Sequence, residues 1–170
     1  KKIIVSGPQE DRVIRAFNNV RFYKSDMSGK CDSLHSNNKT QLTKMIGKPI
    51  LWNNENQMTG DIMHLIGNNK TQKLDSLKVL NNAFIIQKDS LSKNGYNQIK
   101  GQNLYGKFVN SKLKEVDVVK NAEVIYYMYN DANEFIGINK TVCSKINLEL
   151  EENKIDAITF FTKTDSHIYP

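Results

Sequence analysis

The sequence predicts an all-β fold of antiparallel strands, built from repeated units and folded over on itself. Three observations predict it. Apolar residues recur at every second position in short runs, the mark of strands with one buried face. Asn occurs 21 times, often doubled, against only 9 Gly and 3 Pro, and Asn tolerates left-handed backbone and bonds its own turn. An internal repeat runs through most of the chain. At 170 residues the sequence is the size of one ordinary domain.

Taken in order, Pro8-Gln9-Glu10-Asp11 resembles a helix start, so residues 8–16 are the one place where helix is expected, although Val13, Arg15 and Phe17 also read as a strand. The alternating runs then follow at Val20 and Phe22, Ile50 and Trp52, Ala83 and Ile85, Val116 and Val118, Val124 and Tyr126, Ile146 with Leu148 and Leu150, and Ile158 and Phe160. Between them fall the pairs Asn18-Asn19, Asn37-Asn38, Asn53-Asn54, Asn68-Asn69 and Asn81-Asn82, which read as turns. Short, fairly regular spacing suits a meander, a sandwich or a spiralling sheet.

Met27-Ser28-Gly29 recurs as Met58-Thr59-Gly60, and eight residues beyond each Gly stands the same pentapeptide, Asn-Asn-Lys-Thr-Gln, at 37–41 and 68–72. Later copies begin Ile99-Lys100-Gly101 and Phe135-Ile136-Gly137. Each copy ends in a related apolar strand, of which Gly47-Lys48-Pro49-Ile50-Leu51-Trp52 and Asn82-Ala83-Phe84-Ile85-Ile86 are two. A small group of strands cannot bury its own face, so stacked copies share one apolar interior. The repeated Gly reads as a bulge or tight corner where a side chain does not fit.

Composition excludes more than it assigns. No apolar run approaches the ~18 residues of a transmembrane helix, and the N-terminus lacks the layout of a signal peptide. The chain begins Lys1-Lys2-Ile3 and stops at Tyr169-Pro170, which reads as a segment of a longer precursor. The net charge of +6 comes from 21 Lys and 3 Arg scattered along the chain, a pattern of solvated surface more than of nucleic-acid binding. Cys31 and Cys143 lie far apart, and their pairing stays open. His35, His64 and His167 have no metal-ligand spacing. Asp75, Asp89, Asp117 and Asp156 sit at turn or outward positions, so a glycosidase pair is not favoured. Asn-Lys-Thr, a formal glycosylation triplet, occurs three times, as expected by chance in so Asn-rich a chain. Phe22, Trp52, Phe84, Tyr126 and Phe160 form a repetitive aromatic row, which is either core packing or the lining of an apolar channel between sheets that do not fully meet.

The repeated units resemble the OstA or LptA family of lipopolysaccharide-transport proteins, related to LptC and to the N-terminal domain of LptD. The resemblance rests on Asn18-Asn19-Val20-Arg21-Phe22, Gly47-Lys48-Pro49-Ile50-Leu51-Trp52, Gln57-Met58-Thr59-Gly60-Asp61 and Asn81-Asn82-Ala83-Phe84. Tyr96-Asn97-Gln98-Ile99-Lys100-Gly101 and Ile168-Tyr169-Pro170 are similar to phrases of the OstA-like branch. It covers residues 13–170, leaving 1–12 as an N-terminal extension or edge segment, and in that branch more sequence follows the domain.

The resemblance implies a twisted, half-open jelly roll, or taco, of antiparallel strands that holds lipopolysaccharide acyl chains between its sheets in the periplasm, in association with the outer membrane. It implies no catalytic residue, metal or cofactor. Alternation maps the lipid groove onto Val20, Phe22, Ile50, Trp52, Ile62, Ala83, Ile85, Leu104, Val116, Val118, Val124, Tyr126, Ile146, Leu148, Ile158 and Phe160; a one-residue phase error flips a whole strand. A twelve-carbon chain taken from water gains on the order of 10 kcal/mol, so transfer runs from groove to groove and not through solvent. Unpaired edge strands would let like rolls add edge to edge and head to tail, as partners or as copies of one chain, with lysines at the rim near lipid phosphates. The competing expectation is a structural or adhesive repeat domain with a closed core and no lipid ligand; a polysaccharide-acting enzyme ranks behind both.

Overall fold

The computed structural model describes every residue except Asp26, Asn153 and Lys163. Its strands are β1 (Lys2–Ser6), β2 (Val13–Tyr23), β3 (Ser28–Asn37), β4 (Leu42–Ile46), β5 (Ile50–Asn53), β6 (Asn56–Thr59), β7 (Ile62–Gly67), β8 (Leu74–Lys88), β9 (Tyr96–Val109), β10 (Lys112–Tyr129), β11 (Phe135–Glu151), β12 (Lys154–Phe161) and β13 (Asp165–Tyr169). All belong to one antiparallel sheet in the order β1-β2-β3-β4-β7-β8-β9-β10-β11-β12. β5 and β6 pair with each other and with β3 and β8, and β13 pairs with β11.

No helix forms among the described residues. The helix expected at residues 8–16 is replaced by a turn, in which Asp11 N–H donates to the Pro8 carbonyl at 3.2 Å. Strand β2 begins at Val13, because Val13–Phe17 find ladders on both sides, with β1 and with β3. A helix of two turns has no comparable support.

Four strand segments share one five-residue device. Ala16-Phe17-Asn18-Asn19-Val20, Met45-Ile46-Gly47-Lys48-Pro49, Val79-Leu80-Asn81-Asn82-Ala83 and Val118-Val119-Lys120-Asn121-Ala122 each place the third and fourth residues at positive φ, between 49° and 79°. The first residue of each set is buried, and so is the fifth, except Val20, which is half-buried. Ladder registers slip at three of these points, between Phe17 and Val20, Leu80 and Ala83, and Val119 and Ala122. There two residues oppose one, Asp32, Gln102 or Ser144, which is a β-bulge that bends the strand. Asn suits it because its side chain compensates left-handed backbone. Asn18-Asn19 and Asn81-Asn82 are therefore creases inside strands and not the turns expected between them.

Aligned across neighbouring strands, the creases fold the single sheet into two layers. One layer holds β1, β4, β7, β12 and the halves Val13–Phe17 of β2 and Leu74–Leu80 of β8; the other holds β5, β6, β13 and the complementary halves. Both contribute to one core, with Leu77, Val79, Leu104, Val116 and Ile146 from the first and Leu51, Met58, Ala83, Ile99 and Val124 from the second. Small residues keep the crease tight: a Cβ added to Gly60 would stand 2.3 Å from Val79 Cγ1, and one added to Gly101 2.4 Å from Val118 Cγ1.

The pentapeptide repeat folds the same way twice. Asn37 Oδ1 accepts from the N–H groups of Lys39 and Thr40 at 2.9 and 3.2 Å, and Asn68 Oδ1 from those of Lys70 and Thr71 at 2.9 and 3.2 Å. Gln41 and Gln72 each donate Nε2 back to the carbonyl of the second Asn, at 2.8 and 2.9 Å. Asn37 and Asn68 are turn-formers, and two of the three Asn-Lys-Thr triplets, at 38–40 and 69–71, lie within the turns they build.

Candidate functional site

The space between the layers gathers apolar side chains from every copy of the repeat. Its middle is filled. Met45, Leu51, Met58, Met63, Val79, Val118, Val124 and Ile146 are all at 0% exposure. Four of the five methionines, Met27, Met45, Met58 and Met63, lie in this interior, and Met is the most adaptable of apolar fillers.

The two ends are not filled. At the N-terminal end a cavity of about 430 Å³ is walled by Ile14, Ala16, Leu34, Leu65 and Leu74 of the first layer and by Val20, Phe22 and Met27 of the second. Ile3 of edge strand β1 lines it while remaining 71% exposed. The rim is polar, with Asn37, Asn38, Gln41 and Gln72 of the twin turns beside Arg21, Lys24 and Lys73. At the other end a cavity of about 410 Å³ lies between Ile155, Ile158 and Phe160 of β12 and Gln87, Asp89 and Tyr126 of the second layer. Both volumes fall in the ~300–1,000 Å³ range of small-molecule pockets.

Of the residues mapped from alternation, Ala83, Ile85, Leu104, Val116, Val118, Val124, Ile146 and Leu148 are buried in the interior. Val20 and Phe22 line the N-terminal cavity; Tyr126, Ile158 and Phe160 line the other. Burial pushes the Tyr126 hydroxyl up from its ordinary value.

Ile50, Trp52 and Ile62 need correction: they stand on the outer face. The Gly47-Lys48 crease keeps the phase of Met45, so Pro49, Leu51 and Asn53 are the buried residues around β5. Trp52 turns outward, 36% exposed, and its indole N–H donates to Gln57 Oε1 at 2.8 Å. On strands that oppose a crease with one fewer residue, the phase flips instead. Buried positions there step from Met58 to Met63, from Ile99 to Leu104 and from Cys143 to Ile146, which puts Ile62 outside. Leu51, Met63 and Leu65 were missed for this reason, and the signal that finds them is the doubled left-handed pair itself.

Cys31 and Cys143 are both free and buried, and burial raises both thiol pKa values. His35 and His64 lie on strand faces turned away from the interior, and His167 Nε2 stands 3.1 Å from Asp165. Among the described residues no cluster of three or more His, Cys, Asp and Glu is placed to hold a metal ion.

No family model and no curated protein matches the sequence. The fold, however, is similar to a solved structure, LptH from Pseudomonas aeruginosa, described as the LptA homologous periplasmic component of the conserved lipopolysaccharide transport device. The two superpose with a TM-score of 0.63 over 85% of this chain and 95% of that one, at 15% sequence identity. The fold is LptA-like. In this chain it is an all-β, antiparallel architecture, and the likeness persists at an identity where few side chains are shared. What the LptA-like fold positions in this chain is the two-ended interior described above.

Proposed function

We propose that this chain is a periplasmic, lipid-binding bridge module that holds lipopolysaccharide acyl chains between its two layers on the way to the outer membrane. The observation that carries this reading is the likeness to LptH joined to an interior that opens into a mainly apolar cavity at the N-terminal end and, at the other end, into a cavity where Tyr126, Ile155, Ile158 and Phe160 face Glu55, Lys88, Asp89 and Asp156. In this reading residues 13–170 form a half-open roll of jelly-roll type, with residues 1–12 as its edge segment, within a longer chain. Acyl chains enter at Val20 and Phe22 or at Tyr126, Ile158 and Phe160, and the layers part along the methionine-rich middle. The groove comprises Ala83, Ile85, Leu104, Val116, Val118, Val124, Ile146 and Leu148 with those mouth residues.

Free edges support passage to a neighbour. Ile3, Val5, Tyr23, Ile168 and Tyr169 are 51–77% exposed on β1, β2 and β13 at the two ends of the sheet. Exposed apolar edges are what proteins otherwise avoid, and they suit edge-strand addition by like rolls or by further copies, head to tail. No step of this role requires bond-making chemistry.

The second reading is a structural repeat domain with a closed core, favoured by the complete burial of Met58, Val79 and Val118. Binding of fluorescent lipopolysaccharide to the purified chain separates the two. The bridge reading expects saturable binding that Phe22→Asp, at a half-buried cavity wall, weakens at least tenfold while the thermal midpoint holds; the structural reading expects no binding by the wild type.

A further inference from the structure

The +6 net charge is not shared along the chain. Residues 1–80 hold 13 Lys and Arg against seven Asp and Glu, whereas residues 81–170 hold 11 of each. Strand register then concentrates the surplus. Arg15 pairs with His35, His35 with Lys44, Lys44 with His64, and His64 with Lys78, so five basic side chains cross five adjacent strands in one line. At ~4.8 Å between strands the line is about 19 Å long. It lies on the outer face of the first layer, since Ala16, Met45, Met63, Leu65, Leu77 and Val79 beside it are the buried residues.

Arg15, Lys44 and Lys78 alternate with the two histidines, so neighbouring permanent cations stand two strands apart, and among the described residues none of these five is in an ion pair. Two carboxylates of this half are engaged elsewhere, Asp11 at 3.6 Å from Lys39 and Asp61 accepting from Asn82. The corresponding face of the second half is neutralised, by Lys107 with Glu115 and Lys145 with Asp117 at 2.7 and 2.8 Å. His64 records the repulsion, its pKa lowered by burial and by Lys44 and Lys78.

Rows that are mainly apolar, interrupted by Ser33 on one side and by Asn37 and Ser76 on the other, flank the basic one. Phe17, Ile46, Ile62 and Leu80 run along its crease side and Leu42 and Ile66 along the other, with Phe17 and Ile46 37% and 45% exposed. A polyanion in water gains nothing from such flanks, and Lys with His is a poor choice for bidentate phosphate reading. A bilayer interface uses both, as phosphates meet the cations and the apolar flanks sink to the headgroup boundary.

We propose that this outer face, from Arg15 across to Lys78, is a docking surface for an anionic lipid bilayer. The face is separate from the space between the layers, so the inference stands whether or not that space carries lipid. The test is co-sedimentation of the full chain with vesicles of phosphatidylcholine containing 30% phosphatidylglycerol, compared with pure phosphatidylcholine. Binding is expected to the anionic vesicles only, to fall in high salt, and to weaken roughly 25-fold in Lys44→Gln/Lys78→Gln, at about fivefold per lysine. Ile46→Ser is expected to weaken vesicle binding without changing retention on heparin. Circular dichroism melts check that the variants fold. Equal loss in the control Lys107→Gln/Lys145→Gln, equal binding to neutral vesicles, no binding, or tighter binding to single-stranded nucleic acid than to vesicles would each overturn the proposal.

Discussion

Gly101 packs against Val118 as Gly60 packs against Val79, with room for a Cβ in neither place: the added atom would come within 2.4 and 2.3 Å of the valine Cγ1. The fold line of the sheet therefore depends on glycine facing a β-branched residue just before a left-handed pair. Gly101→Ala should cost about 1–3 kcal/mol by overpacking, read as a lower midpoint in urea. Val118→Ala in the same chain should recover part of that loss, and strict additivity of the two costs would argue against the contact.

Lys120 holds a left-handed backbone at φ 63° without the side-chain compensation that Asn provides at the equivalent Asn18 and Asn81. Lys120→Gly should stabilise by about 0.5–1 kcal/mol, strain relieved less the added freedom of the unfolded chain. Asn81→Gly, where Asn already suits the conformation, should change little. Paired chemical melts give both values.

The creases explain what alternation read correctly and where it failed. Strands with runs such as Val116-Asp117-Val118 or Ile146-Asn147-Leu148 carry their own phase, and their buried faces follow from the residues alone. Around Gly47-Lys48 and Gly60-Asp61 the phase depends on whether a strand contributes the longer or the shorter side of a bulge, a property of the pair and not of either strand. Ile50, Trp52 and Ile62 were misplaced there, since a tryptophan on an alternating run looks like core until the crease before it is counted. The basic row was hidden differently: Arg15, His35, Lys44, His64 and Lys78 are far apart in sequence, and only the ladder brings them together.

The twin turns offer an internal control. Asn37→Ala and Asn68→Ala each remove an acceptor for two backbone N–H groups and should each cost about 1 kcal/mol. Matching melts are the expected result, as the identical pentapeptides build the same bonds.

His64 should make stability fall on mild acidification. Its folded pKa lies below 6.5, from burial first and from Lys44 and Lys78 next. The unfolded chain therefore takes up the proton sooner. Stability is full above pH 6.5 and is lost as pH falls towards the folded value. His64→Gln should flatten that part of the pH–stability curve, and Lys78→Gln should shift the His64 titration upward by NMR.

In the proposed role the interior between the layers receives acyl chains through its open ends. Photo-crosslinking residues at Phe22 and Tyr126, with Trp52 and Tyr105 as outward controls, test it most directly against lipopolysaccharide. Adducts are expected at Phe22 and Tyr126, with background at Trp52 and Tyr105. Equal labelling at all four positions, or none at Phe22 and Tyr126, would contradict it.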